Sequence, residues 1–295
     1  MRAVILALSA TLAACGGGED PVQPTIEAPE AVVEAPVADA LHMYVFDCGT
    51  LEVSDLDIFS TAGDYAGVTD TLTDTCYLIR HPDGDMMWDL GLPGILAGAE
   101  PQTDGVFTVS LDQTLTDQLN AVGLFPSDVE YVSISHSHFD HIGQIDQLPS
   151  ATWLVHEDEY AAMFPPNAGS DEDVDLNAAQ FLAFDGLETI PFSGDYDVFG
   201  DGSVVIFETP GHTPGHTSLQ VDLPETGVVF LTGDLYHRAE SRELQRIPRF
   251  NADEAMTKAS MEAFEARAAE LGAKVIIQHE PASIDPLPKP PEALR

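Results

Sequence analysis

The sequence predicts an α/β fold in which sheets carry helices on their outer faces, within one domain spanning residues 41–285. Three observations point there. Short β-branched or aromatic runs recur along the region. Stretches with helical spacing lie between some of them. No internal repeat or second linker interrupts it.

Strands are expected at 43–47, 76–80, 86–89, 131–134, 152–155, 204–208, 218–221, 228–232 and 274–278, several of them ending in polar residues. Helices are expected at 111–122, stopped by Gly123; at 157–164, stopped by Pro165 and Pro166; and at 252–271, with Asp253 and Glu254 in the first turn and Gly272 at the end. In the longest, Met256, Ala259, Ala263 and Phe264 fall at helical spacing and read as its core stripe. A hairpin or loop signal, Phe199-Gly200-Asp201-Gly202, separates an upstream strand from the strand at 204–208.

The first 40 residues read differently. After Arg2, the apolar run from Ala3 to Ala14 is shorter than the ~20 residues that span a bilayer and reads as a signal peptide over 1–14. Its end, Leu12-Ala13-Ala14-Cys15, resembles the lipobox of bacterial lipoproteins, which implies lipidation at Cys15. Residues 15–40 are rich in Gly, Pro, Ala and acidic side chains and read as a solvated tether. The expected location is therefore an exported lipoprotein held at a membrane in the periplasm, and Gly16 and Gly17 after the Cys favour the outer membrane. Residues 286–295 read as a C-terminal tail.

Composition narrows the partners. With 11 Lys+Arg against 50 Asp+Glu, the 295-residue chain has a formal charge of −39, while 44% hydrophobic residues mark it as globular. So acidic a surface repels phosphate backbones, which excludes a nucleic-acid partner. Two further cysteines, Cys48 and Cys76, fall in strand-like segments. Export would permit a disulfide, but two buried free thiols are the favoured reading, and neither has a C-x-x-C partner.

The chemistry gathers at strand ends. His136, His138, Asp140 and His141 crowd six positions just after an apolar strand. His136 and His138, two apart, can converge on one ion, while Asp140 and His141 face a second, and imidazole with carboxylate is the donor set that Zn²⁺ takes. Three more strands lead into His212 and His216, into Asp234, and into His279. With one of His212 and His216, five His and two Asp would suit two metals sharing one carboxylate. The residues alone do not choose between His212 and His216, which lie in one Gly/Pro loop.

HSHFDH at 136–141, TPGHTPGH at 209–216, TGDL at 232–235 and the late His279 resemble the metallo-β-lactamase superfamily over essentially all of 41–285. The resemblance implies an αββα sandwich with a dinuclear site between its sheets. It assigns His136, His138 and His212 to one metal, Asp140, His141 and His279 to the other, and Asp234 to both. His216 then becomes a hydrogen-bonding support. True β-lactamases of the superfamily carry Cys or Ser where this chain has Asp234. The flanking segments YVFDCG, CYLIRHPDG, WDLGLPG and the run 233–261 resemble N-acyl-homoserine lactone lactonases, the quorum-quenching branch.

That resemblance implies ring opening by water activated between two divalent ions, Zn²⁺ by default, although Mn²⁺, Fe²⁺ or Co²⁺ would accept the same ligands. Asp140 would carry the proton from nucleophile to leaving oxygen. Where many lactonases present a Tyr three positions past the bridging Asp, this chain has His237, with Tyr236 beside it, so these are the candidate carbonyl-oxygen donors. Phe139 and Tyr65, the latter in a Gly/Thr-rich stretch at 59–75 that could cover the site, are the candidate substrate contacts. The alternatives are a glyoxalase II-like thioesterase, another lactone or ester hydrolase of the superfamily, and a non-enzymatic lipoprotein binding a metal or partner. The glyoxalase reading is weakened by a tail that holds only Lys289 and Arg295 as cations.

Overall fold

The computed structural model describes residues 38–165 and 180–295. The signal sequence, Cys15 and all but the last three residues of the expected tether lie outside them. The first sheet contains β1 (His42–Val53), β2 (Asp70–His81), β3 (Gly84–Trp88), β4 (Gln102–Asp104), β5 (Phe107–Ser110), β6 (Tyr131–Ser133), β7 (Thr152–His156) and β8 (Thr189–Phe192), in the order β4-β5-β1-β2-β3-β6-β7-β8. The second contains β9 (Tyr196–Asp197), β10 (Val204–Glu208), β11 (Thr217–Leu223), β12 (Gly227–Leu231) and β13 (Lys274–Ile276), in the order β13-β12-β11-β10-β9. Both are mixed: β3, β6, β7 and β8 run parallel, as do β12 and β13, and the remaining pairs are antiparallel. The helices are α1 (Leu115–Ala121), α2 (Phe139–Ile142), α3 (Glu157–Met163), α4 (Ala239–Leu244), α5 (Glu254–Leu271) and α6 (Pro281–Ile284).

Strand alternation sorts the apolar residues into layers. Met43, Val45, Tyr77, Ile79, Trp88 and Leu154 of the first sheet meet Val204, Ile206, Leu219, Val221 and Leu231 of the second. Their neighbours Phe46, Leu78, Met87, Val132 and Trp153 face the other way, onto Leu115 and Leu119 of α1 and Met163 of α3. On the far side of the second sheet, Phe207 and Phe230 pack against Met261, Phe264 and Ala268 of α5. Helix, sheet, sheet, helix is the αββα sandwich that the motifs implied.

Local chemistry sets the helix ends. Thr114 caps α1 in a reciprocal capping box with Asp117, so the helix starts at Leu115, inside the expected 111–122 span. The Asp253 side chain accepts the Met256 N–H at 2.9 Å to open α5, and Gly272, at φ 62°, closes it in the left-handed region. The expected core stripe of α5 is partly wrong. Met256, Ala259 and Ala263 are exposed, while Thr257 and Ser260 are buried with Met261 and Phe264. The first half of α5 lies against the polar 209–216 loop, where the Ser260 hydroxyl donates to the Pro210 carbonyl at 2.6 Å, so small polar residues replace apolar ones there. β4, β5 and β8 went unforeseen, while β9 is the strand expected upstream of the 199–202 turn. β4 is fully exposed, so burial imposes no alternation on its sequence.

The cysteines correct a second expectation. Cys48 and Cys76 form a disulfide, with Cα atoms 5.8 Å apart, on the helix-facing side of the first sheet. A register shift between Asp47 and Gly49 puts Cys48 in a bulge of β1, within reach of its partner on β2. Gly91, at φ 61°, passes so close that a Cβ there would lie 2.3 Å from that of Cys48. The C-terminal segment is docked rather than free: Leu294 and Met43 exchange backbone hydrogen bonds of 2.9 Å. Among the described residues, no helix is long and apolar enough to cross a membrane.

The bridge spans a sequence separation of 28, for which loop-closure entropy gives about 3–4 kcal/mol. Replacing Cys48 and Cys76 together by Ala should therefore lower the urea midpoint by the equivalent of roughly 2–4 kcal/mol. Equal midpoints for the oxidised parent and the variant would show that the bridge contributes nothing.

Candidate metal centre

Strand ends from both sheets converge on one buried cluster. β6 ends at Ser133, and the chain turns through Ser135 to His136 and His138 before α2 presents Asp140 and His141. The loop after β10 supplies His212, the turn after β12 supplies Asp234, and the segment after β13 supplies His279. Ligand atoms of His136, His138, His212 and Asp234 all lie within 4.8 Å of one another, as do those of Asp140, His141 and His279.

Asp234, a member of the first group, also faces the second. Its Oδ2 lies 3.5 Å from His136 Nε2 and 3.3 Å from His212 Nε2, while Oδ1 lies 3.2 Å from His141 Nε2 and 2.9 Å from His279 Nε2. In the first group, His138 Nδ1 sits 2.8 Å from His136 Nε2 and 3.0 Å from His212 Nε2. Asp140 stands farther off, 4.0 Å from both His141 and His279.

The residues fit divalent ions on their own geometry. His141 Nδ1 donates to Asp89 Oδ2 at 3.0 Å, and His279 Nδ1 donates to the Thr73 carbonyl at 2.8 Å. In the neutral rings those bonds leave a lone pair on each Nε2. The two Nε2 atoms face each other at 3.2 Å and both face Asp234 Oδ1, which is buried without a hydrogen-bond donor. Lone pairs converging from three acceptors need a cation between them, and this N/O set is what a borderline ion binds.

The electrostatics agree. Burial, then neighbouring imidazoles, pushes His136 well below the usual imidazole range, and burial with His212 takes His138 down to about 4, so both are held neutral as ligands must be. Burial also opposes charge on His141 and His279, but Asp89 and Asp234 outweigh it at His141, and Asp234 lifts His279 to about 9. Burial works against the Asp234 carboxylate as well, yet His237, His141, His279 and His136 together hold it well below the carboxylate range. Around the second group the buried carboxylates thus favour positive charge, carried by ring protons or, with the rings neutral, by a bound cation.

A further shell fixes these orientations. Asp89, at the end of β3 with φ 57°, accepts the Ser135 N–H at 2.6 Å and the Gln278 amide at 2.7 Å besides the His141 ring. Gln278 Oε1 accepts the Gly233 N–H at 2.9 Å and the Trp88 indole N–H at 3.2 Å, joining the segments of Asp234 and His279 to the end of β3. His216 stands where a support would: Nε2 accepts the Asp234 N–H at 2.9 Å and Nδ1 donates to the Thr209 carbonyl at 3.0 Å. Gly211, at φ 129°, lets the His212 loop touch α5, since a Cβ there would lie 2.3 Å from the Thr257 nitrogen.

Beside the cluster opens a cleft of about 260 Å³. His138, Asp140, Asp234, His237 and His279 form its polar floor, and Leu51, Phe59, Leu72, Phe107, Phe139 and Phe250 its walls. Two sequence-predicted residues are not there. Tyr65 is buried in a cluster with Leu51, Phe59 and Leu72, with the Arg238 guanidinium 5.4 Å over its ring; the wall is Phe59 instead, and residues 70–75 of the expected covering loop belong to β2. Tyr236 packs into the α5 layer, 5.8 Å from Phe264, because adjacent residues in extended backbone face opposite sides. His237 therefore faces the cleft, with Nε2 2.9 Å from Asp234 Oδ2. Asp89, Gln278, Glu159 and the Leu51, Phe107 and Phe250 walls were not foreseen. The WDLGLPG segment, which contains Asp89, and the run 233–261, which contains Phe250, were the available signals.

Residues 70–279 match the metallo-beta-lactamase superfamily. The chain belongs to that superfamily. It is 32% identical over 264 residues to the N-acyl homoserine lactonase AttM of Rhizobium radiobacter, covering 85% of this chain and 98% of the relative. The protein of the same name from Agrobacterium fabrum is 31% identical over the same shares. An N-acyl homoserine lactone hydrolase solved with N-hexanoyl-L-homoserine at its catalytic metal centre shares the fold, with a TM-score of 0.71 at 24% identity, over 86% of this chain and 98% of that one. So does AidC, a dizinc quorum-quenching lactonase, with a TM-score of 0.62 at 17% identity over 82% and 88%.

Replacing His216 by Ala would strand the buried Asp234 N–H and free the carboxylate shared by both groups. Supports of this kind typically contribute 10–100-fold in metal affinity. Competition against a chromophoric chelator should show a loss of that size, and unchanged affinity would remove His216 from the centre.

Proposed function

We propose that the chain hydrolyses the lactone ring of N-acyl-homoserine lactones. The observation that carries this reading is an apolar-walled cleft whose floor is the His/Asp cluster itself. A neutral lactone with an acyl tail needs that pairing: a polar reacting end at the cluster, and a chain against Phe59, Phe107, Leu72 and Phe250. The relatives named for this activity support it. Among the described residues no Lys or Arg lines the cleft, which disfavours the anionic glutathione thioester of the alternative reading.

His136, His138, His212 and Asp234 would hold one divalent ion, and Asp140, His141, His279 and Asp234 the other; such a pair supplies a water of lowered pKa and polarises a carbonyl. Zn²⁺ suits the ligands, and AidC is a dizinc lactonase. Asp140, on the cleft floor, takes the proton of the attacking water and returns it to the departing ring oxygen, a role that typically contributes about 10²–10⁴ in rate. His237 donates a hydrogen bond to the carbonyl oxygen; burial lowers its pKa despite Asp234, so it acts as a neutral donor. Phe139, 38% exposed at the cleft, bears on the acyl chain. The product gains a carboxylate, which the acidic chain repels.

The N-terminal features belong to the same proposal. Cleavage before Cys15 and its lipidation would place the enzyme on the periplasmic side of a bacterial membrane, and the Cys48–Cys76 disulfide suits such an oxidising compartment.

Side-by-side rates on short- and long-chain acyl-homoserine lactones, S-lactoylglutathione and a β-lactam test the reading. Ring-opened acyl-homoserine should be the favoured product, and chelation or Asp234→Ala should reduce turnover to background. A preference for the glutathione thioester would overturn the lactonase assignment, and no turnover of any ester, lactone or thioester would favour a binding protein. His237→Ala should lower kcat by about 10²–10³, as removal of an oxyanion donor does. Unchanged kcat and KM would take His237 out of the mechanism.

A further inference from the structure

One buried carboxylate outside the cluster touches both loops that build its first group. Glu159, in the first turn of α3 and 1% exposed, directs each oxygen at a different loop. Oε1 accepts the Ser137 N–H at 2.7 Å and the Ser137 hydroxyl at 2.6 Å. Oε2 accepts the Thr213 hydroxyl at 2.7 Å and the Gly215 N–H at 3.0 Å. Ser137 lies between His136 and His138, and Thr213 directly follows His212. These are the three imidazoles of the first group.

We propose that Glu159 is the positioning residue that sets the separation of His136 and His138 from His212, and thereby the affinity of that group for its metal. The proposal rests on the reading of the cluster as a two-metal centre. The loop carrying His136 and His138 continues β6 of the first sheet, and the loop carrying His212 continues β10 of the second. Packing between sheets fixes apolar layers well but leaves loop tips a freedom that metal ligation cannot tolerate. The backbone bond from Thr217 N–H to the Ser135 carbonyl, 2.9 Å, joins the loops at their bases, and Glu159 joins them at their tips.

The chemistry of the residue matches that task. An ionised carboxylate only accepts hydrogen bonds and offers about four lone-pair sites, which four donors fill here, two to each oxygen. Such charge-assisted bonds are roughly twice as strong as neutral ones. The approach is also close: a Cβ on Gly215 would lie 2.2 Å from the Glu159 nitrogen and 2.7 Å from its Cβ, so the bare backbone of the His212 loop rests on α3. A second tie stands at the start of the same helix, where His156 Nε2 lies 2.8 Å from Glu208 Oε1 at the end of β10. A buried charge serving only as filler would be costly where an apolar side chain could pack.

Glu159→Gln keeps the shape but turns an amide NH₂ toward two of the four donors. Metal analysis and chelator competition on the full chain read the result. One of the two ions should bind 10–100-fold more weakly, the size typical of a lost outer-shell partner, and the other should be unchanged. The affected ion should be the one weakened by His212→Ala, and adding Glu159→Gln to His212→Ala should cost that ion little more, since both act on one group. If Glu159→Gln does not fold, Thr213→Val keeps the carboxylate, removes one donor, and should weaken the same ion by a smaller factor. Equal weakening of both ions, or none, in whichever variant folds, would overturn the positioning role. A parent chain that holds no metal would overturn the centre itself and this proposal with it; a parent holding two ions with unaltered variants overturns this proposal alone.

Discussion

A carboxylate buried among imidazoles whose lone pairs face it is tolerable only when positive charge shares the space, and Asp234 lives in that environment. Its two oxygens address two separate sets of rings, Oδ2 toward His136 and His212 and Oδ1 toward His141 and His279. Much of the surrounding structure maintains those orientations. Asp89 and the Thr73 carbonyl fix the tautomers of His141 and His279, and His216 and Gln278 hold the backbone of the Asp234 turn. The glycines at 211, 215 and 233 stand where a Cβ would collide with Thr257, Glu159 and His216 respectively. Ring by ring, the sandwich delivers ligands at strand ends, and hydrogen bonds between strand ends turn delivery into geometry.

The division of labour between layers follows. The apolar layer between the sheets brings β6, β10, β12 and β13 together but carries no information about tautomer or distance. That information lies in a thin polar stratum at one end of the sandwich, where Asp89, Ser135, Glu159, His216 and Gln278 are buried and hydrogen-bonded. Even the long helix obeys it: α5 is apolar where it covers Phe207 and Phe230, and polar where Thr257 and Ser260 meet the His212 loop.

Much of this was legible in the sequence, for identifiable reasons. A ligand cluster must be local in part, and HSHFDH at 136–141 compresses four donors into six positions, so chemistry showed through without a structure. Alternation gave the buried strands but not β4, which is exposed and too short to show a pattern. The disulfide escaped because a bulge at Asp47–Gly49 alters the register, and register is invisible to spacing within one strand. Tyr236 and His237 illustrate the same limit at single-residue scale, since which of two neighbours faces the cleft depends on the path of the turn. Asp89, Gln278 and Glu159 sit in no compact pattern of their own. Their partners lie up to 190 residues away, and only the fold brings them together.

The ring closed by Cys48 and Cys76 has a consequence for binding. It encloses Leu51, Phe59 and Leu72, three of the six apolar walls of the cleft, and it fastens the base of the strand pair that carries them. A wall assembled beforehand loses less conformational freedom when a flexible chain settles against it, so more of the contact energy appears as affinity. The covalent link, remote from any reacting atom and facing the helix layer, thereby serves recognition as preorganisation, and the cost of ordering that wall is met once, when the chain folds.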